Sequence, residues 1–370
     1  MGLDVKDRDA VFNFIVREGN GVKGLMDLGS VTEVPDHYIQ PPEKRIDGES
    51  VKKRVNGSAT PVIDLSEIEG PGRDQVLDKI ARAAETIGFF QVVNHGVPLE
   101  LLESVKQASR EFHGQPVEKK SLFLPKNSPS SLVRYWTSVA DPEKEKVLEW
   151  KDYINLKYTS DDEALQYWPN QWKEIVLEYI RAATKLKRTL VKVLLVKLGV
   201  TLDDSKIDAL LQEKEIYLHF YPKCPSPELT IAAGCHSDVG ILTVLLQDEV
   251  GGLQVNVVDD TGETAWMEVP PIPGALIVNI GDVLQILSNG RYKSAEHRVQ
   301  APEKSSRVSI PFFSYPKRSE KIGPLTVEEG GLPRYRELSY GDYVDNYCTK
   351  FFQGKKPLDF ARTERDSFVA

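Results

Sequence analysis

Cysteine is scarce in this chain. Cys224, Cys235 and Cys348 are the three among 370 residues, too few and too irregularly spaced for a disulfide framework or a zinc knuckle. That usage fits a reducing compartment. Long apolar runs are missing as well: no stretch approaches membrane-spanning length. The N-terminal "MGLDVKDRDAVFNFIVREGNG" carries charge throughout, without the apolar centre of a secretory signal. Positive charge is in deficit, with 47 Lys and Arg against 55 Asp and Glu and a net charge of −8. The pI is about 5.5, which argues against a nucleic-acid footprint. These shortages together lead us to expect a cytoplasmic monomer with neither nucleic-acid nor membrane partners. Histidine is scarce too, at six residues, and two of the six sit in informative places.

What is present is a chain long enough to bury a sizeable core. Residues 1–60 read as an N-terminal extension, with "YIQPPEKR" as an extended linker. Residues 61–200 read as a mainly helical region. "PVIDLS" is a short strand, Val76, Ile80, Ala83 and Ile87 recur at helical spacing, and "FFQVVN" is a buried strand. Pro98 opens a further helix, Arg134 to Tyr158 alternates and is rich in aromatics, and Asn170 to Leu198 is a long amphipathic helix. Residues 201–320 change character: "IYLHFYP", "ILTVLLQD", "GLQVNVV", "AWMEVPP", "ALIVNIGDVLQIL", "EHRVQAP" and "RVSIPFFSYP" are β-rich runs punctuated by glycine and proline. Such spacing points to a sandwich or barrel, around which the helical first half would pack. Residues 321–370 complete the chain as a C-terminal helix and tail. The basic pair Lys119-Lys120 reads as solvated surface.

The stretch "GCHSDVG" places His236 and Asp238 one residue apart. On a strand, residues two apart project to one face, so an imidazole and a carboxylate would enter the same cavity. Taken alone, His-x-Asp is more often a hydrogen-bonded polar pair than a ligand pair. Two further features change that balance. His297 follows a strand-rich stretch that can fold back beside the first strand, and two histidines with one carboxylate leave one face of an octahedral iron open. Structural zinc would want four protein ligands, usually including cysteine. Cys235 alternates to the opposite strand face, where a small core residue is expected. Next, Arg307-Val308-Ser309 sets a guanidinium fork and a hydroxyl on one strand face inside the apolar "RVSIPFF". An arginine buried there needs an anionic partner, and a carboxylate suits its bidentate geometry.

The order His-x-Asp, His, Arg-x-Ser resembles the plant iron(II)- and 2-oxoglutarate-dependent dioxygenases. "GFFQVVNHGV", "YPKCPSPELT", "HSDVGILTVLLQD", "GGLQV", "NIGDVLQILSNGRYKSAEHRV" and "RVSIPFF" carry that resemblance over most of the chain. "REGNGVKGL", "EWKDY" and the "GKKPLDFAR" tail are similar to the coumarin-forming branch. The resemblance implies an α+β fold with a double-stranded β-helix (jelly-roll) core flanked by helices, after a mainly helical N-terminal region. It implies Fe(2+) held by His236, Asp238 and His297, with O2 as co-reactant and ascorbate as a supporting reductant. It also implies 2-oxoglutarate held by Arg307 and Ser309 with the Tyr221 hydroxyl. Phe313 falls where relatives stack an aromatic on substrate, and Tyr135 and Trp136 fall near the pocket mouth. The implied activity is hydroxylation of a small phenolic, scopoletin at its 8-position, giving fraxetin, succinate and CO2. Hydroxylation of feruloyl- or coumaroyl-CoA at the ortho position, or oxidation of another aromatic or alkaloid, stands as the alternative. Two departures bear on substrate: His219 stands where many relatives have asparagine, and Trp136 where the branch tends to have glycine. His219 reads equally as a donor to the cosubstrate or as a packed strand residue. A binding protein without activity would have lost a ligand or Arg307, and neither is lost.

Overall fold

The computed structural model describes residues 3–4, 6–48, 51–52, 55, 59–138, 147–259, 261–326, 331–351 and 357–363. The tail residues 354–356 and 364–370 therefore lie outside the described residues. Twelve strands build the core: β1 (Val62–Asp64), β2 (Phe89–Val93), β3 (Val133–Thr137), β4 (Asp152–Tyr158), β5 (Glu213–Tyr221), β6 (Ala233–His236), β7 (Leu242–Gln247), β8 (Leu253–Val258), β9 (Thr264–Glu268), β10 (Leu276–Ile280), β11 (His297–Val299) and β12 (Arg307–Tyr315). An eight-stranded sheet runs β1-β2-β10-β7-β12-β5-β4-β3, and a four-stranded sheet runs β6-β11-β8-β9. This is the α+β jelly roll the sequence implies.

Alternation sorts the eight-stranded sheet into two unlike faces. Ile154, Leu218, Val308, Ile310, Phe312, Val244 and Leu246 point toward the helices, where one hydrophobic cluster joins them to the helix Lys173–Lys197 through Ile180, Leu190 and Leu194. That helix forms because apolar residues recur at three- and four-residue steps, leaving its outer face to charge. The opposite face looks at the four-stranded sheet. There Phe89, Tyr221, Leu245 and Ile277 share a second cluster with Leu253, Val255 and Met267.

The N-terminal region is mainly helical as expected, and its strands β1 to β4 extend the eight-stranded sheet at both ends. Two expectations need correcting. "ALIVNIGDVLQIL" divides into β10 and a short helix, Asp282–Leu287, because its apolar residues after Gly281 follow a helical rather than an alternating pattern. The N-terminal extension is built into the fold, and its "linker" contains the 3-10 turns Asp36–Tyr38 and Pro42–Lys44. Val11, Ile15, Val22, Leu25 and Tyr38 are buried in the second cluster with Trp150, Cys224 and Ala232.

The docking point of that extension is Asp152 on β4. Val22 N–H donates to its Oδ1 and Lys23 N–H to its Oδ2, each at 2.8 Å. Burial raises the Asp152 carboxyl above its ordinary range, against the pull of Lys120 and those two N–H groups. Lys120 is itself buried, with its ammonium 5.6 Å from the Tyr135 ring centre, so the solvated reading of that lysine is corrected. Gly21 makes the approach possible. Its φ is +70°, and a Cβ would lie 2.5 Å from both Asp152 Oδ1 and the Tyr135 hydroxyl. Gly21→Ala is expected to cost about 3 kcal/mol from backbone strain and displaced Asp152. A thermal melt checks this, and an unchanged midpoint would show the extension is not anchored there. Among the described residues no helix is long and apolar enough to cross a membrane.

Candidate active site

β6 and β11 pair so that His236 lies opposite His297, with ring centres 4.2 Å apart. Asp238 follows two residues beyond His236, and its Oδ1 is 3.8 Å from His236 Nε2 and 3.7 Å from His297 Nε2. Donors that share a metal at about 2.1 Å cannot be more than about 4.2 Å apart. Both contacts satisfy that limit, and among the described residues these three side chains form the cluster of potential metal ligands. Each imidazole is also turned correctly. His236 Nδ1 is 2.7 Å from the Gly234 carbonyl and His297 Nδ1 is 3.2 Å from the Ala295 carbonyl. A carbonyl only accepts, so Nδ1 carries the hydrogen and each Nε2 keeps its lone pair for a metal.

The charges agree with that role. Burial, then the neighbouring His236, pushes His297 down to about 4, so it stays a neutral ligand. Burial opposes ionisation of Asp238, but the two imidazoles and the donors Thr243 and Asn279 outweigh it and hold the carboxyl below its ordinary range. Thr243 Oγ1 and Asn279 Nδ2 both donate to Asp238 Oδ2, the latter at 2.7 Å, which leaves Oδ1 toward the histidines. Cys235, expected in the core, is exposed, because β6 lies at the edge of its sheet with open space behind it.

Behind Asp238 the chain is clamped by the helix Tyr340–Phe351. The Tyr347 hydroxyl donates to the Ser237 carbonyl at 2.6 Å, and Tyr343 donates to Asp282 Oδ2 at 2.7 Å. Ser237 Oγ donates to the same Asp282 oxygen at 3.2 Å. Asp282 N–H closes the arrangement on the Asp238 carbonyl at 2.7 Å. Burial pushes the Asp282 carboxyl up to about 6.

A second constellation sits on the same face of the eight-stranded sheet. Arg307 pairs with Tyr221, and Ser309 with His219, across β12 and β5. Arg307 is fully buried. Its Nη2 donates to Gln247 Oε1 at 2.9 Å, while Nε and Nη1 have no partner. Its guanidinium carbon lies 5.0 Å from the Tyr221 ring centre. The Tyr221 and Ser309 hydroxyls are 3.2 Å apart. A buried guanidinium with two idle nitrogens beside two hydroxyls fits an anion with two acceptor oxygens, such as a carboxylate. His219 is half-buried with Nδ1 unpartnered, and burial drives its basicity well down, as do the nearby Lys151 and Arg307 cations. It is therefore a neutral imidazole.

The register extends this face outward. Directly opposite residues share a face, so Trp136, Tyr153, His219, Ser309 and Gln247 form one row across β3, β4, β5, β12 and β7. Phe313 belongs to the same face, its ring 5.4 Å from Tyr217 in an edge contact. Tyr135 does not. It points to the helical side, edge-on to Phe112 at 5.5 Å, and strand alternation puts it on the face opposite Trp136. Its expected place at the pocket mouth is corrected. Sequence reading also passed over Thr243, Gln247 and Asn279. Their signal was legible as polar residues inside strands that are buried along their whole length.

Comparison with known proteins agrees with this geometry. Residues 209–316 match the 2OG-Fe(II) oxygenase superfamily, and residues 60–175 match the family described as non-haem dioxygenase in morphine synthesis N-terminal. The chain is 50% identical to scopoletin 8-hydroxylase of Arabidopsis thaliana, over 98% of this chain and 100% of that protein. It is 47% identical to a feruloyl CoA ortho-hydroxylase of Ipomoea batatas, over 95% of this chain and 96% of the relative. The crystal structure of JOX2 in complex with 2OG, Fe and JA superimposes with a TM-score of 0.76 at 33% identity, covering 92% of this chain and 97% of that one. The chain therefore belongs to the plant iron(II)- and 2-oxoglutarate-dependent dioxygenases, as an Fe(II)- and 2-oxoglutarate-dependent hydroxylase carrying the His236-Asp238-His297 triad.

Proposed function

We propose that this enzyme hydroxylates a small planar phenolic of coumarin metabolism, scopoletin at its 8-position, with succinate and CO2 as co-products. The observation that carries this reading is the likeness to scopoletin 8-hydroxylase over the full length of both chains. In this reading His236, Asp238 and His297 hold Fe(II). Arg307, Ser309 and Tyr221 hold the remote carboxylate of 2-oxoglutarate, and His219 donates to the cosubstrate as a neutral imidazole. When bound, iron and 2-oxoglutarate supply an oxidant made from O2. The chain's own residues do the rest. The Gly234 and Ala295 carbonyls fix the imidazole tautomers, Thr243 and Asn279 fix the carboxylate, and Gln247 fixes the Arg307 fork. Phe313 and Trp136 bound the space where a flat ring would lie, and so select the ring carbon that faces the metal.

The second reading is ortho-hydroxylation of feruloyl- or coumaroyl-CoA, supported by relatives at 44–47% identity. A coenzyme A thioester brings several phosphate charges and calls for a cationic rim, which a net charge of −8 does not favour. Offering scopoletin, feruloyl-CoA and coumaroyl-CoA in parallel, with product and succinate followed by mass, decides between them. Turnover of scopoletin with stoichiometric succinate is the expected result. Turnover of a thioester but not scopoletin would replace the first reading with the second.

A further inference from the structure

The face that carries Arg307 and Ser309 continues over β5 onto β4 and β3, and two hydrogen-bond donors there are left idle. Trp136 Nε1 and Asn155 Nδ2 are both buried and neither has a partner. Register places them together. Trp136 lies opposite Tyr153, and Asn155, two residues along β4 from Tyr153, lies opposite Tyr217. The two positions are thus adjacent rows of one face, about 7 Å apart along the strand. Aromatic side chains fill the surroundings: the Tyr153 ring is 5.5 Å from Tyr217 and 5.3 Å from His219. An indole nitrogen only donates. Buried donors are almost always satisfied, and two idle ones on the sheet face that carries Arg307 and Ser309 call for an acceptor that the described residues do not supply.

We infer that Trp136 and Asn155 form a donor pair that reads acceptor oxygens on the substrate's aromatic ring. The substrate class is a planar aromatic with a carbonyl, ether or phenolate oxygen on the edge remote from the iron. Tyr153, Tyr217 and Phe313 cover its faces and the indole N–H caps that oxygen. This deepens the proposed function and rests on it for the identity of the probe. Trp136 thereby both narrows the pocket and orients what enters it.

The test uses full-length enzyme loaded with Mn(II) and 2-oxoglutarate, which binds substrate without turning it over. Trp136→Phe keeps an aromatic side chain and deletes the donor; Asn155→Asp keeps the shape and replaces a donor with an acceptor. The probe is whichever of scopoletin and feruloyl-CoA the wild-type enzyme turns over, so that a wrong substrate assignment and a wrong donor assignment fail separately. The expected result is a Kd for that probe about tenfold weaker in each variant, at an unchanged Kd for 2-oxoglutarate. A second expectation separates recognition from mere packing. An otherwise identical probe without the ring oxygens should bind wild-type and Trp136→Phe equally. Unchanged probe affinity in Trp136→Phe, or equal losses for probes with and without the oxygens, overturns the inference. Failure of wild-type to bind either aromatic probe overturns both this inference and the function on which it rests.

Discussion

Asp238→Ala should bind Fe(II) too weakly for turnover, with product formation falling by at least ~10³-fold, while the metal-free protein stays folded. The reasoning is geometric. Asp238 Oδ1 is the point both histidines face, at 3.8 and 3.7 Å. Removing it leaves two imidazoles, one of them on a sheet edge. Nothing else among the described residues completes a cluster of this kind. The fold should survive with a modest loss of stability, because the site holds this carboxyl below its ordinary range and Thr243 and Asn279 lose their acceptor with it. Mn(II) titration by electron paramagnetic resonance reads the affinity directly. The graded companion is Thr243→Val, which keeps the ligand and loses one donor to it, and should weaken the metal by about 10–100-fold. If Asp238→Ala kept full 2-oxoglutarate-dependent activity, the triad would be wrong.

Arg307→Met should raise the KM for 2-oxoglutarate by about two orders of magnitude or more, from the roughly 2–5 kcal/mol that follows when one side of a buried charge pair is removed. Stability of the cosubstrate-free protein should hold or rise. Arg307 is fully buried, and without cosubstrate its Nε and Nη1 face no acceptor. A buried cation in that state costs the fold, and an apolar side chain of similar length removes the cost. The same substitution thus moves function and stability in opposite directions. Thermal melts with and without 2-oxoglutarate check it: wild-type should gain stability from the cosubstrate and the variant should not. A loss of stability in the cosubstrate-free variant, together with an unchanged KM, would make Arg307 an ordinary core residue.

The site was legible in the sequence to the degree that its residues could not be explained otherwise. A guanidinium inside "RVSIPFF" has no comfortable place in a strand without an anion. His-x-Asp gained meaning only with His297 and Arg-x-Ser beside it. Alternation then sorted β12 correctly, with Arg307, Ser309 and Phe313 on one face. It failed at two places for physical reasons. Tyr135 and Trp136 are neighbours, and a strand sends neighbours to opposite sides, yet only the sheet's packing says which side meets the helices. Cys235 does point away from the site, but what lies behind an edge strand is set by the rest of the fold, and there it is solvent.

Through its family resemblance the sequence pointed to the reaction class and the jelly roll; by itself it offered three candidate metal ligands, a candidate carboxylate pair in Arg307 and Ser309, and a sandwich or barrel of strands. Each of these depends on residue type and short-range spacing, and strand periodicity converts both directly into which side chains share a face. Only the tertiary structure decided that Thr243, Asn279 and Gln247 hold those groups in place, and that Tyr347 and Tyr343 grip the chain behind Asp238. It alone showed residues 8–38 packed into the second core through Gly21 and Asp152. Apart from Thr243 and Asp238, which are 5 positions apart, such contacts join residues 41 to 130 positions apart, and their partners are chosen by the closing of one sheet over another, which no local pattern records.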